Sequence, residues 1–557
     1  MRRHRHPAPI AGRRARGVLA ALAASALAAG LAAPLTGSAG AAPADPASAA
    51  AASGAKVPVP ELDYTACRGS LEGLRCARVE VPLDYDRPRG ATTALALAKR
   101  PADQPEGKIG TLFVNPGGPG GAARDFVRAA AFLLGPIVRA RFDIVGIDPR
   151  GVGGSTPARC TIAKLPPVPR FAFPYSQQQI RKVLVFNARL RGACDRNGNA
   201  ILDHMSTADT ARDMNLVRRA VGDARLSYYG ISYGSYLGAS YAAMFPGKVR
   251  ALIVDAVLDP VAWSTGRGDA ARRLPFSYRL GSGLGANKAM HSALRECDRV
   301  GKRRCAFAHD SVARWEQLVA RLKRGPVDLG GGGEFSYADL IGFSLGPMYD
   351  GSGYRPLMRN LEMLYRIAFG NRRNGTDATG LREAFQDSVV ERAIVGPYAA
   401  GSFEPGHRLV SFLPGFQGVA CADSVNPKDP RAWVGAAVKD EKRGAGGFGR
   451  LWTWISSACA GWPGSSSDAF RGPWRVRTET PLLIVGNTYD PATPISGARA
   501  LRRLLPGSRL VELQTWGHGA IGQSRCVTER FSAYLVKRSL PDRGATCQPD
   551  RVLYPGS

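Results

Sequence analysis

The stretch ARLSYYGISYGSYLGASYAA, Ala224 to Ala243, limits what this chain can fold into more than any other segment. A β-prone run, Leu226-Ser227-Tyr228-Tyr229, enters Gly230-Ile231-Ser232-Tyr233-Gly234, and a small-residue, helix-compatible run from Leu237 to Met244 leaves it. A strand turning sharply into a helix forces the central serine into a strained backbone geometry. The flanking glycines carry no Cβ to clash where strand and helix cross. The spacing predicts that Ser232 Oγ stands exposed above a sheet as a nucleophile, with the N–H of the next residue, Tyr233, helping to hold a developing oxyanion.

The pentapeptide pattern alone is weak, because with 66 glycines in 557 residues about half a G-x-S-x-G is expected by chance. A second copy, Gly342-Phe343-Ser344-Leu345-Gly346, serves as an internal control. It follows a helical-looking segment, Tyr337 to Gly342, and is stopped by Pro347, so it lacks both the strand before and the helix after. Ser344 therefore reads as structural.

Residues 1–41 read as an export signal. Arg2, Arg3, Arg5, Arg13, Arg14 and Arg16 make a basic region, Gly17 to Ala33 is uncharged and Ala/Leu-rich, and Ala39-Gly40-Ala41 fits the small-x-small cleavage rule. Gly30 and Pro34 break the apolar run, which is short for a bilayer, so no stable membrane anchor is expected. All ten cysteines follow this leader, and in an exported protein an even number argues for disulfides rather than metal; neither C-x-x-C nor H-E-x-x-H occurs. Pairing neighbours in sequence gives Cys67–Cys76, Cys160–Cys194, Cys297–Cys305, Cys421–Cys459 and Cys526–Cys547, although spacing alone leaves the connectivity open. The formal charge of +30 falls to +24 without the leader's six arginines. The remaining basic residues are scattered and lack aromatic interleaving, so a nucleic-acid partner is not expected.

Residues 42–60, rich in Ala, Pro and Ser, read as a flexible or pro-segment. Cys76 to Pro82 and Thr93 to Ala98, around the turn signal Asp84 to Gly90, predict an antiparallel hairpin. Gly110 to Val114 is a buried strand running into Asn115-Pro116-Gly117-Gly118-Pro119-Gly120-Gly121. This loop has no phosphate-loop spacing, and its stiff glycine run reads as a second oxyanion donor through Gly117 or Gly118. Phe142 to Ile147 is a strand whose following Asp148 and Arg150 brace the loop; Thr207 to Val221 is a helix capped by Thr207 or Asp209; Ala251 to Asp255 is the next strand. From Trp263 to Val476 helical patterns dominate, among them Ser311 to Arg324, Tyr354 to Phe369 and Gly380 to Val395. Strands resume at Pro481 to Asn487, followed by Asp490, and at Arg509 to Leu513, followed by His518 between two glycines. Buried strands alternating with helices imply a parallel sheet with crossovers.

A serine hydroxyl needs a base, and a carboxylate after one late strand with a histidine after the next gives the chain order Ser232, Asp490, His518. Among the five histidines beyond the leader, His204, His291, His309, His407 and His518, only His518 follows a strand late in the chain.

The runs NPGGPGG (115–121), DPRGVGGS (148–155), GISYGSYLG (230–238), PLLIVGNTYDPATP (481–494) and WGHG (516–519) resemble those of secreted bacterial tripeptidyl aminopeptidases. These are serine exopeptidases of the α/β-hydrolase fold, similar to prolyl iminopeptidases. The resemblance implies Ser232 as nucleophile, Asp490 as acid, His518 as base, and Gly118 with Tyr233 as the oxyanion hole. Here Pro116 stands where the related H-G-G-P-G loop opens with histidine, which leaves open which glycine donates. An aminopeptidase must also neutralise the substrate's α-ammonium, and Asp350, Glu404 and Asp423 are the candidate carboxylates.

The expectation is an α/β-hydrolase fold, a mostly parallel sheet with an inserted helical cap. Its divisions are the leader 1–41, the flexible or pro-segment 42–60, a core 61–262 with the nucleophile, a mainly helical cap 263–476, and a core 477–557 with Asp490 and His518. The expected function is a secreted serine aminopeptidase, working without a cofactor or metal, that releases short peptides, tripeptides in the first place, from peptides with free N-termini through an acyl-enzyme. A secreted serine esterase of the same fold and a catalytically silent hydrolase-fold binding protein are the alternatives.

Overall fold

The apolar runs of the sequence assemble into one ten-stranded sheet in the computed structural model. The model describes residues 57–556 apart from Leu165 and residues 331–332, 371–374, 387–409, 413 and 466. The expected leader, most of the segment 42–60, and Glu404 lie outside the described residues, as does the predicted helix Gly380 to Val395 beyond Gln386.

The strands are β1 (Thr65–Ala66), β2 (Arg75–Pro82), β3 (Thr92–Arg100), β4 (Gly110–Asn115), β5 (Phe142–Ile147), β6 (Leu226–Ile231), β7 (Val249–Asp255), β8 (Leu483–Tyr489), β9 (Arg509–Trp516) and β10 (Thr546–Cys547). Their order across the sheet is β1-β2-β3-β5-β4-β6-β7-β8-β9-β10. β2 and β3 form the predicted antiparallel hairpin, with Val79 opposite Leu95, and β3 is antiparallel to β5. From β5 to β10 every neighbouring pair is parallel. A parallel strand is covered on both faces, so its sequence reads as a continuous apolar run. Leu112, Val145, Tyr229, Ile253 and Ile484 are accordingly buried. β4 lies between β5 and β6, so the chain leaves it to one side for β5 and later returns to the other as β6. That reversal opens a crevice at the carboxyl ends of the strands, where ligands of open α/β sheets bind.

The crossover helices include α1 (Ala123–Leu133), α2 (Thr207–Ala220) and α3 (Tyr233–Met244). α2 is capped by Ser206, whose side chain accepts from Asp209 N–H at 3.0 Å, not by Thr207 or Asp209 as the sequence reading had it. Thr207 is unavailable because its hydroxyl is bonded to Asp423. Asp148 and Arg150 do brace their loop, each through a helix: Asp148 pairs with Arg124 of α1 at 2.7 Å, and fully buried Arg150 pairs with Asp213 of α2 at 2.6 Å.

Between β7 and β8 the chain is mainly helical. Its longer helices include α4 (Ser282–Val300), α5 (Gly415–Asp423) and α6 (Gly446–Trp454), together with Ser311–Arg324 and Tyr354–Phe369. Part of this insertion has its own core around Trp315, Leu340, Trp433 and Phe448, and the carboxyl-terminal tail enters it: Tyr554 O–H donates to Ala293 O at 3.0 Å. Another part packs back on the core that carries the ten-stranded sheet. Val410–Phe412 pairs antiparallel with Cys160–Ile162, and Phe416 and Val419 of α5 pack with Tyr233 and Leu237. All ten cysteines form disulfides, in the neighbour pairing. Among the described residues no helix is long and apolar enough to cross a membrane.

Candidate active site

From Leu226 to Ala242 every residue is buried except Ser232. The turn between β6 and α3 gives Ser232 a φ of 61° and a ψ of −126°, a conformation that costs a side-chain-bearing residue about 1–3 kcal/mol. The surroundings hold it there. Ser232 N–H donates to Asp255 O at 3.0 Å, and a Cβ on Gly230 would sit 2.3 Å from Gly234 O. Ser344 of the second pentapeptide lies inside a helix, fully buried, and donates to Leu340 O at 2.7 Å.

The glycine loop after β4 lies flush against this turn. Gly117 has a φ of +91°, and a Cβ there would come 2.5 Å from Ile231 O and 2.8 Å from Ser232 Cβ, so no other residue fits. Its N–H donates to Asn115 Oδ1 at 2.9 Å. The Gly118 N–H has no acceptor among the described residues, and Gly118 lines the same cleft as Ser232. Tyr233, first residue of α3, has no carbonyl one turn behind it to bond. Gly118 and Tyr233 thus lie on the two segments that meet at Ser232.

Asp490 and His518 come from the loops after β8 and β9. His518 Nδ1 lies 3.0 Å from both carboxylate oxygens of Asp490. Asp490 is itself fixed by N–H donors from Ala492 and Thr493, both at 2.8 Å, and by Thr493 O–H at 3.0 Å. A carboxylate on Nδ1 keeps the proton there and leaves Nε2 as the basic nitrogen. Tyr349 supports the imidazole from the side: its ring meets His518 edge-on at 5.0 Å, and its carbonyl accepts from His518 N–H at 2.9 Å.

A second buried carboxylate, which the sequence reading passed over, joins the two halves of the site. Asp255 ends β7; its carbonyl holds Ser232 N–H, while its carboxylate accepts from Ala520 N–H (2.9 Å), Ile521 N–H (3.1 Å) and Tyr229 O–H (2.8 Å). Burial pushes this carboxyl up to about 6. The available signal was an acid closing an apolar strand that directly follows the nucleophile's helix.

Ser232 and His518 line one cleft, part of it open to solvent. Its walls include Trp263, Phe276, Leu280, Trp452 and Ile455, and no carboxylate lines it among the described residues. The amine-binding candidates are therefore not gathered there. Asp350 caps a turn, accepting from Ser352 N–H at 2.8 Å. Asp423 is buried behind the wall and accepts from Thr207 N–H (2.8 Å), Thr207 O–H (2.7 Å) and Trp263 Nε1–H (3.3 Å); burial raises it to about 6. Glu404 lies outside the described residues. One trio able to hold a cation, His204, Asp209 and Asp468, occurs among the described residues, and none of the three lines the cleft.

Comparison with known families finds a match to the alpha/beta hydrolase fold over residues 110–280 and to the TAP-like protein family over residues 445–547. The chain is 30% identical to a tripeptidyl aminopeptidase of Streptomyces coelicolor, over 86% of this chain and 83% of that protein. It is equally 30% identical to the serine protease Hip1 of Mycobacterium tuberculosis, over 88% of this chain and 93% of that protein. A protein named carboxylesterase B from the same bacterium is 31% identical over 89% of this chain and 92% of its own length.

Proposed function

Since the chain belongs to the α/β-hydrolase family of these tripeptidyl aminopeptidases and Hip1 proteases, and is a serine peptidase, we propose that it is an exported aminopeptidase releasing short peptides, tripeptides in the first place, from free N-termini. The observation that carries the reading is a histidine held by a buried carboxylate at 3.0 Å, in the same cleft as Ser232, the one residue of its strand, turn and helix start that is not buried. Export is supported by five disulfides and by the leader pattern in the sequence.

In the proposed reaction Ser232 Oγ attacks the scissile carbonyl carbon while its proton passes to His518 Nε2. Asp490 stabilises the imidazolium, and the Gly118 and Tyr233 N–H groups hold the oxyanion. Collapse of the intermediate breaks the C–N bond, and His518 returns its proton to the leaving amine. Water then attacks the acyl-enzyme with His518 as base, releasing the peptide and restoring Ser232.

The esterase reading keeps the same machinery and draws on two observations: the cleft's apolar lining without a carboxylate, and the relative named carboxylesterase B. Comparing tripeptidyl anilides with free and blocked amino ends against short acyl esters separates the two. The aminopeptidase reading predicts the highest kcat/KM for the free tripeptidyl anilide. Preference for the blocked substrate or the ester would remove it.

A further inference from the structure

We propose that the apolar wall of the cleft selects a bulky, uncharged side chain on the acyl group that Ser232 takes up. The proposal rests on Ser232 being the nucleophile, as read above, and is indifferent to whether an amine or an alcohol leaves. The acyl half of a substrate remains attached to Ser232 after the leaving group has gone, so the space adjoining Ser232 must house it. That space is walled by Trp263, Phe276, Leu280, Trp452 and Ile455. No Asp, Glu, Lys or Arg is among the described lining residues, so a charged side chain entering there finds no salt-bridge partner.

The wall is also held in place from behind. The Trp263 ring packs on Phe276 at 4.6 Å and on Tyr233 at 6.0 Å. Its indole N–H is fixed by Asp423, whose carbonyl in turn accepts from Arg471 Nε–H at 2.9 Å. Phe276 N–H donates to Asn426 Oδ1 at 2.9 Å. Asp423, a candidate for the substrate's ammonium from the sequence, is in this account a positioning residue for the pocket wall. A wall so anchored does not rearrange to bring a counter-charge to a buried cation or anion, so discrimination should be large.

Two matched substrate series test this, peptidyl anilides and acyl p-nitrophenyl esters, each carrying Leu, Phe, Ala, Lys or Glu as the acyl residue. In any series that is turned over, Leu and Phe are expected to exceed Lys and Glu in kcat/KM by at least about 10². Leu280 is half-buried at the end of its helix and outside the catalytic machinery. Leu280→Asp is expected to raise the Lys-to-Leu ratio by at least about tenfold. Lys or Glu substrates turned over by the unaltered enzyme within about threefold of Leu would overturn the proposal, as would an unchanged ratio in folded Leu280→Asp. Ester turnover with the apolar preference but no anilide cleavage would leave the pocket standing and remove the peptidase reading. Absence of turnover in both series would overturn the two together.

Discussion

Asp490 can orient His518 only because its own oxygens are saturated by Ala492, Thr493 and the imidazole. Exchanging it for Asn keeps the shape but favours the wrong tautomer, so Asp490→Asn is expected to lower kcat by about 10⁴ with a folded protein, measured by steady-state kinetics beside circular dichroism. Asp255 acts one step further back, through the backbone of the His518 loop and of Ser232. Asp255→Asn turns an amide N–H₂ toward the Ala520 and Ile521 N–H groups and should lower kcat about 10²-fold with KM little changed. Tyr229→Phe, which removes one donor and keeps the charge, should cost less than tenfold. Equal effects on kcat and KM from Asp255→Asn would argue against a positioning role. The placement of Ser232, Asp490 and His518 just beyond strand ends was legible because each stands at a local signal. Asp255 was not, because its partners lie 26 residues before it and 265 after it in the chain.

At the scale of elements, the strands read correctly were long apolar runs, and Ser311–Arg324 and Tyr354–Phe369 were read to the residue. β1 and β10, two residues each, carry no periodicity to read, and each lies at a sheet edge beside a disulfide, Cys67–Cys76 or Cys526–Cys547. The small two-stranded sheet of Val410–Phe412 with Cys160–Ile162, and the placement of α5, were hidden for a similar reason: they depend on that pairing and on Cys421–Cys459, between segments distant in sequence. One contact in the insertion is stringent. α4 and α6 cross where a Cβ on Gly283 would lie 2.5 Å from Gly449 Cα, backbone against backbone. Gly283→Val is therefore expected to destabilise the protein by about 1–3 kcal/mol in denaturant unfolding. Because the neighbouring Ser282 lines the cleft, kcat/KM should fall as well. A variant as stable as the parent would show that this crossing has slack.

Over the whole molecule, burial raises Asp209, Asp255 and Asp423 from 3.8 to about 6. The folded chain thus takes up protons at these sites below about pH 6, whereas the unfolded chain does so only near pH 4. Between those values the native state binds more protons, and stability falls as pH rises through the window. His291, raised chiefly by its hydrogen bond to Glu316, acts with the same sign, since its contribution is lost as pH rises. The melting temperature is expected to be higher at pH 5 than at pH 7.5, with a smaller difference in Asp423→Asn; a melting temperature that rises toward pH 7.5 would contradict the burial of these groups.

All of this matters for catalysis only if the sheet's carboxyl edge brings a reactive serine to its base, which a phosphonylating active-site reagent reports directly. Intact-mass and peptide mass spectrometry of the full-length protein are expected to find one adduct per chain, on Ser232, absent from Ser232→Ala and strongly slowed in His518→Ala. Labelling spread over other serines, or none at Ser232 in folded protein, would contradict the assignment of the nucleophile.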